Sequence, residues 1–213
     1  TFKYPKAGED NSDVKVFIYD YSTDVSHEVA IPKSAYYIPR FFWTNDSDEL
    51  CVLTMNRHQN DLRFLITEGE FPNNRIGTKQ IFREVCNTYI DIHDNLIFLE
   101  DGESFLWTSE RDGFNHIYKF GYDGSATQLT KGEWDVLEFS GYDSKRKNCH
   151  FSSSMFGPTQ KHLHKVDLNG NITTLDQTPG HHGANYSSTF AYSIYNYSNA
   201  NTPPVYTLRD RNG

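Results

Sequence analysis

One pattern recurs along the chain and limits the folds that it can adopt. A short strand of alternating apolar and polar residues is followed by a tight turn rich in Asp, Asn and Gly, and then by another such strand. Corresponding strand positions recur about every 45 residues, which is the period of a four-stranded propeller blade. These positions are Leu62, Ile117, Leu163 and Val205.

Four copies of this unit can be traced. The first is predicted to be a four-stranded antiparallel meander over residues 37–85, the second spans 96–129 and the third spans 134–175. The fourth is predicted to start at Tyr186 and to continue to residues 204–208. The predicted fold class is therefore all-β, a partial β-propeller of about four blades of four-stranded antiparallel sheet.

The turns between the strands carry strong hairpin chemistry. Asp-Gly pairs stand at 101–102, 112–113 and 123–124, and both residue types tolerate the positive φ of a tight hairpin turn. A β-sandwich also alternates and also turns at Gly, but it does not repeat one hairpin register along the chain. The repeat favours the propeller, with residues 1–213 as a single partial domain.

Charge and composition exclude some classes of partner. The formal net charge of -8 argues against a nucleic-acid backbone, which is bound by a basic surface. No apolar run approaches the roughly 20 residues that span a bilayer, so no membrane contact is expected from this segment. Nothing in the sequence identifies a compartment.

The cysteines do not indicate a metal or redox site. Cys51, Cys86 and Cys149 are isolated and form no Cys-x-x-Cys pair. We expect all three to be buried free thiols, because an unpaired Cys usually packs as a small apolar residue.

The histidines are also predicted to bind no metal. His162 and His164 lie two residues apart on one face of a predicted strand, and His181 and His182 lie in a predicted Gly-rich loop at 180–183. Because no third ligand stands at a defined spacing, we expect solvated surface histidines, no metal site and no cofactor.

Two longer motifs carry a family resemblance. Residues 105–118 read FLWTSERDGFNHIY and residues 129–136 read LTKGEWDV, and residues 4–8 read YPKAG upstream of both. In this order the three segments resemble the propeller of dipeptidyl peptidase IV-type enzymes of the prolyl oligopeptidase clan. Trp134, in the second motif, is predicted to be an apolar anchor at the contact between blades.

The resemblance implies a function that this segment would serve without catalysing it. Such enzymes are serine peptidases that release Xaa-Pro or Xaa-Ala dipeptides from peptide N-termini, with a C-terminal α/β-hydrolase domain and a propeller that restricts access. The resemblance also implies a homodimer, a peptide substrate and a periplasmic, secreted or cell-surface location. No Gly-x-Ser-x-Gly occurs in the 213 residues, so we expect this segment alone to be inactive.

One segment is a candidate for substrate contact. By order along the chain, residues 87–93 fall where the family's propeller projects side chains toward the peptidase pocket. The Arg-Phe-Arg pattern of better-known members is missing here. Tyr89 and Asp91 are the candidate substrate-binding residues, and the alternative is that Tyr89 and Ile90 begin an inner strand.

A second class of function remains open at the level of sequence. The chain could be a non-catalytic propeller that binds a protein or peptide partner and has no hydrolase domain. In either case, blades without neighbours are expected to expose apolar faces.

Overall fold

The computed structural model describes residues 6–69 and 75–211 and is built from β-strands. No helix forms in these two ranges, and so none that is long and apolar enough to cross a membrane. The strands are β1 (Phe17–Asp20), β2 (Val25–Val29), β3 (Tyr37–Trp43), β4 (Leu50–Met55), β5 (Asp61–Glu68), β6 (Arg75–Val85), β7 (Ile97–Phe98), β8 (Ser104–Ser109), β9 (His116–Gly121), β10 (Ala126–Gln128), β11 (Val136–Asp143), β12 (Asn148–Ser153), β13 (His162–Asp167), β14 (Ile172–Thr174), β15 (His181–Tyr186), β16 (Tyr192–Asn199) and β17 (Thr202–Asp210).

These strands form four sheets, in agreement with the predicted all-β fold class of a partial propeller of about four blades. The strand orders are β1-β2-β6-β5-β4-β3, β10-β9-β8-β7, β11-β12-β13-β14 and β15-β16-β17. The chain divides into two compact units, Thr1–Ile92 and His93–Gly213. The first unit contains the six-stranded sheet and the second contains the other three.

In the first unit, the predicted meander forms as β3 to β6, with each strand antiparallel to the next. The hairpin of β1 and β2 then extends this sheet, because β2 pairs in parallel with the start of β6. This parallel pairing joins Glu28 to Arg75 and Val29 to Ile76, and the sequence pattern did not predict it.

The centre of the six-stranded sheet is apolar. All six residues of β4 are buried, as expected for a strand covered on both faces. The Phe64 ring on β5 lies 4.7 Å from the Phe82 ring on β6, and burying one such side chain stabilises a fold by roughly 2 to 3 kcal/mol. At the start of β5, Asp61 pairs with both Arg63 and Arg83, and their hydrogen bonds lower the pKa of its carboxyl.

In the second unit, β7 to β10 and β11 to β14 form the two four-stranded meanders that were predicted. The two sheets share a core, in which Leu106 and Ile117 of the first pack with Cys149, Phe151 and Val166 of the second. All six residues of β8 are buried, including its Ser and Thr residues. The tight turn between β9 and β10 contains Gly124 at φ 88°, as its Asp-Gly pair predicted.

The prediction for the fourth copy was wrong at its start. The first strand of this sheet, β15, begins at His181 and ends at Tyr186, where the sequence had suggested that it begins. The predicted Gly-rich loop at 180–183 is therefore mostly strand. Of the YPKAG motif, Tyr4 and Pro5 lie outside the described residues, and 6–8 run into a turn.

The prediction of exposed apolar faces is confirmed on the last sheet. Because Ile194 pairs with Leu208, these two side chains lie on one face of β16 and β17. Tyr192 and Tyr206 lie on the same face, and all four side chains are more than half exposed.

Candidate functional site

The segment after β6 is held in place by its backbone. The Cys86 amide donates to the Asn60 carbonyl at 3.0 Å and the Ile90 amide donates to the Gln59 carbonyl at 2.9 Å. Ile90 is buried, whereas its neighbours Tyr89 and Asp91 are exposed. No strand is assigned at Tyr89 or Ile90, so the alternative that they begin an inner strand is wrong.

The three cysteines differ in environment. Cys51 and Cys149 are buried, as predicted, and burial raises the pKa of the Cys149 thiol to about 12. The prediction was wrong for Cys86, which is half-buried. Its sulfur lies 3.2 Å from the Thr88 hydroxyl, and this hydrogen bond lowers the pKa of the Cys86 thiol.

The prediction of solvated histidines was wrong for three of those considered. His162 and His164 do share one face of β13, but both are buried, as is His182 at the start of β15. The reason is that Phe156 and His182 pack against this face of β13, which an isolated strand pattern cannot show. Of these four histidines, His181 is exposed, as predicted.

His162 and His182 belong to a structure that occurs twice in the second unit. We call its first occurrence, at His116, Ile117, Thr130 and Trp134, the first junction. His116 opens β9, and its Nδ1 lies 3.1 Å from the hydroxyl of Thr130, which also accepts the Ile117 amide at 2.9 Å. The His116 Nε2–H donates to the Gly132 carbonyl at 3.0 Å, so Nδ1 of the neutral ring accepts from Thr130.

Trp134 completes the first junction. Its ring meets the His116 ring edge to face at 4.8 Å and lies parallel to the Phe151 ring of the following sheet at 6.3 Å. It packs against the core that the two four-stranded sheets share. This confirms Trp134 as the predicted apolar anchor between blades.

The second junction consists of His162, Leu163, Asp176 and His182. His162 opens β13 as His116 opens β9, and Asp176 follows it by the same 14 residues that separate His116 from Thr130. One carboxylate oxygen of Asp176 accepts from His162 Nδ1 at 2.6 Å, and the other accepts the Leu163 amide at 2.9 Å. The Asp176 carboxylate therefore takes the place of the Thr130 hydroxyl.

His182 takes the place of Trp134 at this junction. Its ring lies 4.9 Å from the His162 ring. Its Nε2–H donates to the Thr178 carbonyl at 2.7 Å and lies 3.1 Å from Asp176, while its Nδ1 accepts from the Tyr195 hydroxyl. Two imidazoles thus share one carboxylate, and the side chains of His162, His182 and Asp176 are 4%, 0% and 7% exposed.

Sequence reasoning missed Asp176 and Tyr195, although a signal for Asp176 was present. The 14-residue spacing from a strand-opening His to an oxygen-bearing side chain occurs in both junctions. Aligning the copies on the His residues would have found Asp176. Tyr195 depends on the pairing of β15 with β16, which is not visible in the spacing.

The comparisons with known proteins identify the class to which this fold belongs. The sequence profile of the dipeptidyl peptidase IV (DPP IV) N-terminal region matches residues 1–204. The chain therefore belongs to this family, as its motifs predicted.

Individual relatives agree with this assignment. The chain is similar to dipeptidyl peptidase 4 of Trichophyton equinum, with 25% identity over 98% of this chain and 28% of the relative. The corresponding enzyme of Arthroderma otae is 26% identical over the same shares of the two chains. The crystal structure of Porphyromonas gingivalis dipeptidyl peptidase 4 superimposes with a TM-score of 0.87 at 33% identity, over 100% of this chain and 30% of that one. The chain thus spans less than a third of the length of these relatives.

Proposed function

We propose that this chain is a scaffold and substrate-gating segment of a dipeptidyl peptidase IV-type serine peptidase. The enzyme would release Xaa-Pro or Xaa-Ala dipeptides from the N-termini of peptides. The observation that carries this proposal is the family match over residues 1–204, together with relatives that are named dipeptidyl peptidase 4.

The chemistry would come from another part of the protein. Acyl transfer by a serine needs a nucleophile on a sharp turn, a His base and an oriented Asp, and this chain has no Gly-x-Ser-x-Gly. A C-terminal α/β-hydrolase domain would supply these groups. The sheets described here would form part of the wall that limits entry to short peptides.

Tyr89 and Asp91 are proposed to contact the substrate. The two backbone bonds that hold this segment to Gln59 and Asn60 fix its course, so both side chains project into solvent on either side of the buried Ile90. An exposed carboxylate suits the cationic amino terminus of a peptide, and a phenol ring can pack on an apolar side chain.

The activity can be tested directly. The full-length protein is expected to hydrolyse a Gly-Pro chromophore, whereas residues 1–213 alone are expected to be inactive. A Gly-x-Ser-x-Gly encoded after Gly213 supports the peptidase. A stop codon there, together with no hydrolysis, would instead favour the non-catalytic module that binds a protein or peptide.

The substrate contact has a separate test in the full-length enzyme. We expect Tyr89→Ala and Asp91→Asn each to raise KM for Gly-Pro substrates by about 10-fold, because one polar or packing contact contributes about 1 to 1.5 kcal/mol. Tyr21→Ala is the matched control, since Tyr21 is 90% exposed in the same unit. Unchanged steady-state kinetics in both variants would remove these residues from the pocket.

The assembly and location are proposed on the resemblance alone. We propose a homodimer that acts in the periplasm, outside the cell or at its surface. Light scattering of the full-length protein at the mass of one chain would contradict the dimer.

A further inference from the structure

The second junction brings together three metal-binding groups that the sequence keeps apart. Nδ1 of His162, a carboxylate oxygen of Asp176 and Nε2 of His182 lie within 4.8 Å of one another. Two imidazoles and one carboxylate form a common ligand set for divalent transition metals. The sequence had argued against a metal because a third ligand was missing, and Asp176 supplies it.

The first junction makes the same connection without a carboxylate and without a second imidazole. There, the Thr130 hydroxyl accepts the backbone amide and pairs with the strand-opening His, and an indole packs on that His. At the second junction, both the hydroxyl and the indole are replaced by metal-binding side chains. Packing and backbone bonding alone do not account for both replacements.

Charge and outer contacts at the second junction also suit a cation. The Asp176 carboxylate is 7% exposed, and its nearest charged or titratable partners are two histidines, so a bound cation would offset a buried negative charge. The Tyr195 hydroxyl bonds to Nδ1 of His182 and so orients Nε2 toward Asp176. When Nε2 binds a metal, the ring proton is on Nδ1 and is donated to the Tyr195 oxygen, and such a bond from the far ring nitrogen is typical of metal-binding histidines.

We propose that His162, Asp176 and His182 bind a divalent transition-metal ion, with Zn²⁺ as the best match to two nitrogens and one oxygen. Each imidazole binds as the neutral ring with its proton on the other nitrogen. Coordination bonds of about 2.0 to 2.2 Å require ligand atoms within roughly 4 Å of one another, so the two rings would shift slightly from their present hydrogen bonds. The Thr178 carbonyl, 2.7 Å from His182 Nε2, is available as a fourth ligand.

The test measures metal content and does not depend on peptidase activity. The full-length protein is stripped with a chelator, incubated with Zn²⁺ or Co²⁺, dialysed and analysed by mass spectrometry of the bound element. We expect one metal ion per chain at micromolar free Zn²⁺. Co²⁺ is expected to give visible absorption bands typical of a low-symmetry site.

To preserve the fold, the substitutions at the second junction introduce the residues found at the first. Asp176→Thr introduces the counterpart of Thr130, and His182→Trp introduces the counterpart of Trp134. Each substitution is expected to weaken metal binding at least 10-fold. His164→Gln is the control, because His164 is buried on the same strand but bonds to Ser153 and Thr174. Absence of stoichiometric metal in the unsubstituted protein, or equal retention in all three variants, would overturn the proposal.

Discussion

The two junctions of the second unit make the same connection with opposite hydrogen-bond polarity. At the first, the Thr130 hydroxyl donates to His116 Nδ1. At the second, the Asp176 carboxylate can only accept, so His162 Nδ1 donates. The backbone part is unchanged, since an oxygen of residue 130 or 176 accepts the amide that follows the histidine. Strand register fixes this bond, whereas the protonation of the side chains is free to differ between junctions.

Removing the shared acceptor at the second junction is expected to have the largest effect. Asp176→Ala leaves the Leu163 amide and two buried imidazoles without their carboxylate, at a cost of about 3 kcal/mol. Hydrogen–deuterium exchange of peptides covering β13 and β15 should then accelerate by about 100-fold. Asp176→Thr is the matched control and should change exchange less than about 5-fold, since a Thr serves at the first junction. Equal effects of the two substitutions would show that the hydroxyl cannot replace the carboxylate.

Removing the corresponding oxygen at the first junction should lower the free energy of unfolding by a smaller amount, because no ionised group is involved. Thr130→Val keeps the side-chain shape but removes the oxygen that bonds to His116 and Ile117. We expect this to lower the free energy of unfolding by about 2 kcal/mol. Exchange of peptides from β9 and β10 should accelerate by about 30-fold. Thr127→Val, at an exposed position of β10, should leave exchange unchanged. A larger effect than that of Asp176→Ala would reverse the order of the two junctions.

A half-buried histidine outside both junctions, His150, tests the effect of burial on stability in the absence of a charged partner. Burial lowers the pKa of His150 to about 4, and its Nδ1 has no hydrogen-bond partner among the described residues. Since the unfolded-state pKa is higher, at about 6.5, His150 has no effect on stability above that pH and destabilises the fold as pH falls from 6.5 toward 4.

At pH 5, His150 is expected to lower the free energy of unfolding by about 1 to 2 kcal/mol. Exchange of β12 peptides at pH 7.5 and pH 5, corrected for intrinsic rates, should show this loss in the unsubstituted protein and a smaller one in His150→Gln. His58→Gln, at an exposed turn, is the control. An identical pH response in His150→Gln would assign the loss to other groups, including the histidines of the second junction.

The sequence predicted the elements that depend on local chemistry. Alternation located β3 to β6, and the Asp-Gly pairs located the turns beside Gly113 and Gly124, because both signals are written in neighbouring residues. It did not predict β15, since His-His between glycines resembles a loop until β16 pairs with it.

Side-chain burial was harder to predict than strand position. His162 and His164 were assigned to the correct strand and face, but their burial depends on residues that are distant in sequence. The exposure of Tyr89 and Asp91 follows from the burial of Ile90 between them, and their contact with a substrate remains a prediction.

The parallel attachment of β2 to β6 has a consequence for solubility. Residues 28–30 cover the beginning of β6, where the Thr78 hydroxyl also donates to the Ala30 carbonyl at 2.8 Å. Farther along β6, Lys79 is exposed and Arg83 extends toward Asp61 of β5, and charged side chains along a strand disfavour the addition of a foreign strand. The side of β6 away from β5 is thus covered by β2 at its beginning and flanked by charged residues farther along, which disfavours the addition of a foreign strand at this place.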